Sequence, residues 1–337
     1  MKINMQDNQK LIAIIFILLF ISNLALWYFL IQYRMEHAIH FNINYVGNYL
    51  TIASALIIFA FISSRLPRLR SLGDSSLYEI GYLLIMGLVG LTVSYFNSIV
   101  NDTIVLEPFI NMFNVLAIIL IVMIFSTRLR YIKAMIRRDY SRNDIIVCLI
   151  VFLILGVLST LLTKNLGNSS ANVRTMTIVI AGLFGGPAIG IPTAILAGAV
   201  RLGMGGSTAL PCALSTFICG LIASVIYVWN GNRFLRTTPS AILMFLCIGF
   251  EMGMVILMLP NSVAIPMVLD IYAPMTFVSV IGIILFKLVI AETRRKVEDM
   301  PVDEKEELEN LKKALAEYEE RINVLEDQIK NKSDEEE

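Results

Sequence analysis

Four side chains able to hold an anion stand near one another in a single apolar stretch: Arg174 and Arg201, followed by Cys212 and Ser215. Two guanidiniums can clamp a carboxylate through paired, charge-assisted hydrogen bonds, and a thiol and a hydroxyl one helical turn apart can orient a second polar group such as a keto oxygen. Thr208, Cys212 and Ser215 follow i, i+4, i+7 spacing and share a face if a helix extends back to Thr208. Pro211 suits the first turn of such a helix, where no amide donor is needed, and the free amides and positive dipole end of that turn favour an anion. Recognition of a small carboxylate is the chemistry these residues point to. A plainer role fits them too, with the arginines as interface anchors reaching water from helix ends and Cys212 and Ser215 as small packing residues.

The surroundings decide what kind of protein holds them. With 57% hydrophobic and only 16% charged residues, the chain is an integral membrane protein, and soluble enzyme folds are excluded. An arginine inside a membrane domain is costly and faces a protein interior or a watery cavity, so both arginines are candidate binding residues. Basic and acidic residues balance at 27 each, which gives no sign of a nucleic-acid partner. The four cysteines (Cys148, Cys212, Cys219 and Cys247) all fall in apolar runs, which argues against a disulfide framework or a zinc site. No metal or cofactor is implied. The first run, 11–31, is longer than a signal-peptide core and lacks a small-residue cleavage site, so it reads as a retained helix.

The apolar runs are 11–31, 49–64, 78–98, 104–126, 143–163, 174–202, 209–229, 240–259 and 266–290. Basic clusters at 65–70, 128–138, Arg233 with Arg236, and 294–296 mark cytoplasmic loops by the positive-inside rule. Run 143–163 then ends outside, and run 209–229 must begin outside in order to end at Arg233. Run 174–202 therefore starts and ends on the outer face. A single span breaks that parity, so the run reads as two short helices, about 174–184 and 187–202, joined at Gly185, Gly186 and Pro187. At 1.5 Å per residue the first piece reaches only about 16 Å and has to be sheltered by its neighbours. The result is an all-α polytopic protein of about ten helical segments in the plasma membrane, with both termini cytoplasmic.

This break brings Arg174, Arg201, Thr208, Cys212 and Ser215 to one level. The stripe Gly182, Gly186, Gly190, Ala194 and Gly198 reads as a close helix-packing surface leading toward Arg201. Glu251 lies inside run 240–259 and is expected to pair with an arginine; a protonated carboxyl bonded to backbone is the alternative. Asp270 reads as a helix cap at the outer end of the last span, and Lys287 as a side chain reaching the cytoplasmic interface. His37 and His40 lack a third ligand nearby and read as ordinary loop residues.

At these residues the chain resembles the LytS-type five-transmembrane receptor domain of bacterial and archaeal signalling proteins. Asn172 to Arg174, Ala181 to Pro187, Gly190, Gly198 to Arg201, Gly205 and Gly206, Phe250 to Met252, and Pro274 and Met275 on to Gly282 carry the resemblance, which covers about 143–296. Pro192 departs from the pattern, and no catalytic output domain follows. The resemblance implies a sensor domain that feeds histidine kinases or diguanylate cyclases, with some members receptors for pyruvate. It also implies a fold similar to the substrate-binding subunits of energy-coupling-factor transporters. Residues 1–142 make an N-terminal four-helix membrane region to which no family role attaches.

After Arg295 the chain turns polar, and Leu308, Leu311, Leu315, Tyr318, Ile322, Leu325 and Ile329 repeat 3,4,3,4, the a/d seam of a parallel coiled-coil dimer over 297–337. An amphipathic helix lying on another protein is the alternative. Enzyme activity finds no support: both histidines lie at 37 and 40, and the tail carries no nucleotide-binding loop or cyclase signature. The chain is expected either to stop before its output domain or to recruit a cytoplasmic signalling partner. A signalling receptor for an extracellular carboxylate is the leading function; a transporter's substrate-binding subunit and a membrane scaffold without ligand are the alternatives. Topology gives the first test: a cysteine placed at Gly205 should react with an impermeant thiol reagent from outside, and one at Asn232 from inside. Reaction of the Gly205 position from the cytoplasmic face alone would contradict both the broken helix and the outward-facing site.

Overall fold

The computed structural model describes residues 5–37, 107–162, 164–166, 169–171 and 173–298, with a few helical residues between 311 and 322. Runs 49–64 and 78–98 lie outside the described residues, as do Asn172, His40, Leu308, Leu325 and Ile329. The described elements are α1 (Met5–His37), α2 (Glu107–Thr127), α3 (Arg130–Arg137), α4 (Arg142–Leu161), β1 (Lys164–Leu166), β2 (Ser169–Ala171), α5 (Arg174–Gly203), α6 (Ala209–Trp229), α7 (Thr237–Met258) and α8 (Asn261–Glu298). Among the described residues six helices are long and apolar enough to cross a membrane, and a seventh results if α2 and α3, bent 82° apart, count as one span. The all-α polytopic class holds. One small element goes beyond it: β1 and β2 pair antiparallel, Lys164 opposite Ala171, in the connection between α4 and α5.

Helix α5 is broken where the glycines and proline predict. Gly186 sits at φ 62°, ψ −154°, a conformation closed to side-chain-bearing residues, and a Cβ there would fall 2.5 Å from the Tyr227 ring. The chain folds back at this point. A Cβ on Gly190 would lie 2.5 Å from Gly182 Cα, and Ile178 clusters with Ala194 and Ala197. In a straight helix Ile178 and Ala194 would stand about 24 Å apart. The small-residue stripe lets α6 pack into the same seam: a Cβ on Gly182 would meet Ala223 at 2.7 Å, and one on Gly220 would meet Ala194 at 2.5 Å. Both ends of α5 thus return to one end of the bundle.

Around this core α1 and α8 close the bundle. Asn23 of α1 donates to Leu19 O at 2.9 Å and to Leu246 O of α7 at 3.1 Å, and its side-chain carbonyl accepts from Tyr272 of α8 at 3.1 Å. Trp27 stacks on Tyr272, with ring centroids 5.8 Å apart. A buried amide satisfied from three helices fixes register, so α1 belongs to the same packed unit as α7 and α8. Toward the opposite end of α8, Phe286 packs on Phe184 of α5 and Phe234. Lys287 donates to Thr237 Oγ1 at 2.9 Å, tying α8 to the first turn of α7.

Asp270 is a correction. Helix α8 begins at Asn261, nine positions earlier, so Asp270 lies within the helix and not at its start. The sequence reading started the helix at Pro266, yet both Pro266 and Pro274 sit inside it. Residues 293–337 form a separate unit, in which Leu311, Leu315, Tyr318 and Ile322 are exposed on described helical residues. The packing seam generates a stability test. Gly190→Ala should cost about 1–3 kcal/mol, because its methyl has backbone on one side and Ser224 on the other. Gly253→Ala meets nothing within 4 Å and should be neutral or stabilise by up to about 1 kcal/mol. Denaturant unfolding in detergent compares the two; equal effects would contradict the folded-back packing.

Candidate functional site

The first residue of α5 is the most enclosed cation among the described residues. Arg174 is 0% exposed, and its Nη2 lies 3.2 Å from Glu251 Oε1 of α7. Its Nε donates to Thr216 Oγ1 of α6 at 2.7 Å, and Nη2 also reaches the Cys212 carbonyl at 3.5 Å. The other Glu251 oxygen accepts from Thr175 Oγ1 at 2.6 Å. Glu251 therefore holds two adjacent residues of the first turn of α5, where the helix dipole favours a negative charge. The expected partner of Glu251 is Arg174.

Arg201 closes the other half of α5 and is 7% exposed. Its Nη1 donates to Gly205 O at 2.7 Å and its Nη2 to Thr208 Oγ1 at 2.8 Å. Gly205 and Gly206 take φ of 71° and 92°, which is what lets the chain turn tightly enough to present that carbonyl back to the guanidinium. Residues 203–207 lie at the surface, so Arg201 stands just under an exposed turn.

Helix α6 starts at Ala209, with Thr208 in the capping position and its carbonyl accepting from Cys212 N at 3.1 Å. Thr208, Cys212 and Ser215 are all buried, and the Thr208 hydroxyl meets Arg201 of α5. Cys212 lies within electrostatic reach of Arg174, Arg201 and Glu251 together. Ser215 Oγ donates to the Cys212 carbonyl at 3.0 Å within its own helix. Gly182, Gly190 and Gly198 serve packing, Gly198 facing the Ala213 backbone of α6. Pro187 follows the break at Gly186.

The residues converge, but the two guanidiniums do not share a partner: Arg174 is committed to Glu251 and Thr216, Arg201 to the 205–208 turn. Thr175 and Thr216 complete the inner network and were not among the residues singled out from sequence. Their signal was present, since Thr216 follows Cys212 by one turn and Thr175 adjoins Arg174. Among the described residues no group of three His, Cys, Asp or Glu side chains could hold a metal. A buried ion pair is costly to break from one side, because the remaining charge keeps its desolvation cost without its partner. Glu251→Leu or Arg174→Met alone should lower stability by about 3–5 kcal/mol, and the two together should recover most of that loss. A double-mutant cycle on unfolding midpoints measures this, and additive losses would contradict the pairing.

Comparison with known proteins agrees with this architecture. Residues 129–293 match the family model described as the 5TMR of 5TMR-LYT. Over 129 residues the chain is 36% identical to the sensor protein LytS of Bacillus anthracis, covering 37% of this chain and 22% of that relative. Over 140 residues it is 37% identical to LytS of Bacillus subtilis, covering 40% and 23%. Over 157 residues it is 29% identical to the sensor histidine kinase BtsS of Escherichia coli K12, covering 45% and 28%. The chain spans about a quarter of the length of these curated relatives. No solved structure matches it. The match begins before α3 and takes in α4 to α8, five apolar helices with α5 folded back on itself. Residues 129–293 thus match the LytS-type five-transmembrane receptor domain.

Proposed function

We infer that this chain is a plasma-membrane receptor that takes a small extracellular carboxylate, with pyruvate the first candidate, at Arg201, Cys212 and Ser215. The supporting observation is the position of Arg201: a buried guanidinium that bonds, among the described residues, to a neutral carbonyl and a hydroxyl under an exposed turn. A ligand carboxylate offers that fork two charged acceptors in place of two neutral ones, and charge-assisted bonds are roughly twice as strong. Cys212 and Ser215, one turn apart, face the second polar group of the ligand, a keto oxygen in pyruvate.

Glu251 sets the charge of the ligand. Because it neutralises Arg174, the site carries one uncompensated positive charge, which matches a monoanion and leaves a dicarboxylate with a surplus. Taking Arg201 from Gly205 and Thr208 releases the 203–208 turn from the end of α5, and that is the first movement of the signal. The basic clusters support an outward-facing site with both termini in the cytoplasm. Two copies pair through the heptad seam of Leu308, Leu311, Leu315, Tyr318, Ile322, Leu325 and Ile329, with Pro301 as a break between the last span and the coil, and a cytoplasmic partner reads the pair.

Thermal unfolding of the purified chain across pyruvate, acetate, lactate and malonate tests the reading. Pyruvate at a hundred times its dissociation constant should add about 2.7 kcal/mol, and malonate should add little. Arg201→Ala should weaken binding by roughly 10- to 100-fold, the range expected for a hydrogen bond to a charged group. Arg201→Lys should weaken it as well, because an ammonium lacks the bidentate fork. Undiminished affinity in a folded Arg201→Ala protein would leave Arg201 as a clasp for its own turn and no more.

A further inference from the structure

The short helix α3 carries a feature the ligand site does not use. It leaves α2 at 82°, so with α2 crossing the bilayer it lies near the plane of the interface. Its apolar residues Ile132, Met135 and Ile136 are buried inside the protein at 4%, 8% and 5% exposure, unlike those of a free amphipathic anchor. What it turns outward is basic: Arg130 and Arg137 are exposed and Lys133 half-exposed, with Arg128 and Arg138 exposed at its two ends.

A second basic segment joins it from nearly a hundred residues away. Arg138 ends α3 in the left-handed region at φ 68° and donates through Nη2 to Asn232 O at 3.2 Å, and Asn232 is itself left-handed at φ 57°. Arg233 and Arg236, both exposed, follow directly. Two carboxylates interrupt the cluster. Asp144 is engaged with the Ser141 amide and hydroxyl at 2.6 and 2.8 Å, and Asp139 is exposed between α3 and α4. Beside α3, Ile124 and Phe125 at the end of α2 and Leu129 just before α3 are apolar and exposed.

The geometry points to a binding site for an anionic phospholipid headgroup between α3 and the turn from α6 to α7. A cationic shelf at the interface, built by two chain segments and bordered by the exposed apolar side chains of Ile124, Phe125 and Leu129, complements a phosphate above an acyl chain. Basic residues near an anionic surface each raise partitioning by roughly fivefold. A lipid held here would bear on the α2–α3 elbow and on the α6–α7 connection together.

Trp229, half-buried at the end of α6 beside this turn, is a built-in probe. The full chain carrying Trp27→Phe, which leaves Trp229 as its single tryptophan, is reconstituted in phosphatidylcholine vesicles. Into these is mixed, at equal mole fraction, either phosphatidylglycerol or phosphatidylcholine brominated near the top of the acyl chain. Quenching by the brominated anionic lipid should be at least threefold stronger at low salt, and the excess should vanish in Arg130→Gln/Lys133→Gln/Arg137→Gln. Arg233→Gln/Arg236→Gln, a second variant on the other segment, should lose part of the excess, and Arg130→Lys/Arg137→Lys should keep it. Equal quenching by the two lipids in the unsubstituted cluster would overturn the assignment and leave the shelf to an acidic protein segment. An excess that survives in both neutralised variants with unchanged unfolding midpoints would overturn it too.

Discussion

The site depends on one backbone event, the reversal of α5 at Gly186. A helix of this length could cross a bilayer, and its apolar composition favours doing so. What prevents it is local. Gly186 holds a positive φ with Tyr227 packed against its Cα, and Pro187 starts the next helix where a missing amide costs nothing. Once the chain turns back, Gly182 and Gly190 let the two halves approach until backbone meets backbone, and α6 fills the seam. Without that reversal Arg174 and Arg201 would lie about 40 Å apart at opposite ends of one helix.

The reversal creates an electrostatic problem that α7 solves. The first half of α5 begins inside the protein, with Arg174 fully buried and its first-turn amides facing no water. Glu251 answers the charge, pairing with the guanidinium and accepting from the Thr175 hydroxyl in the same turn. Its position is fixed in turn by α7, which α1 holds through Asn23 and the Leu246 carbonyl. Arg174 is thereby held by an ion pair, whereas Arg201 bonds, among the described residues, to a neutral turn.

Much of this was legible in the sequence because it rests on residue types with narrow uses. Glycine, glycine and proline in a row mark a reversal, basic clusters impose a parity on the spans, and a glutamate in an apolar run needs a cation. The i, i+4, i+7 spacing of Thr208, Cys212 and Ser215 translated directly into a buried face. The partition of partners between the two arginines was not legible, because it is decided by side-chain packing of α6 and α7 against α5. Thr175 and Thr216 escaped notice for a related reason: a threonine in an apolar helix usually bonds its own backbone, and only the neighbours reveal another role. The apolar run 266–290 understates α8, which holds Pro266 and Pro274 in its interior and reaches back to Asn261. Asn23 gave no signal beyond being a lone amide in an apolar run, and its partners lie more than two hundred residues away.

The reversal can be measured directly. In a protein whose four native cysteines are replaced, cysteines at positions 178 and 194 are oxidised in the membrane, and the bridged peptide is sought by mass spectrometry. The folded-back α5 predicts efficient bridging of Ile178→Cys with Ala194→Cys, since both side chains meet the same glycine of α6. A protein that inserts and folds yet never forms this bridge, as a straight helix with about 24 Å between the two positions would dictate, would contradict the architecture on which the site rests.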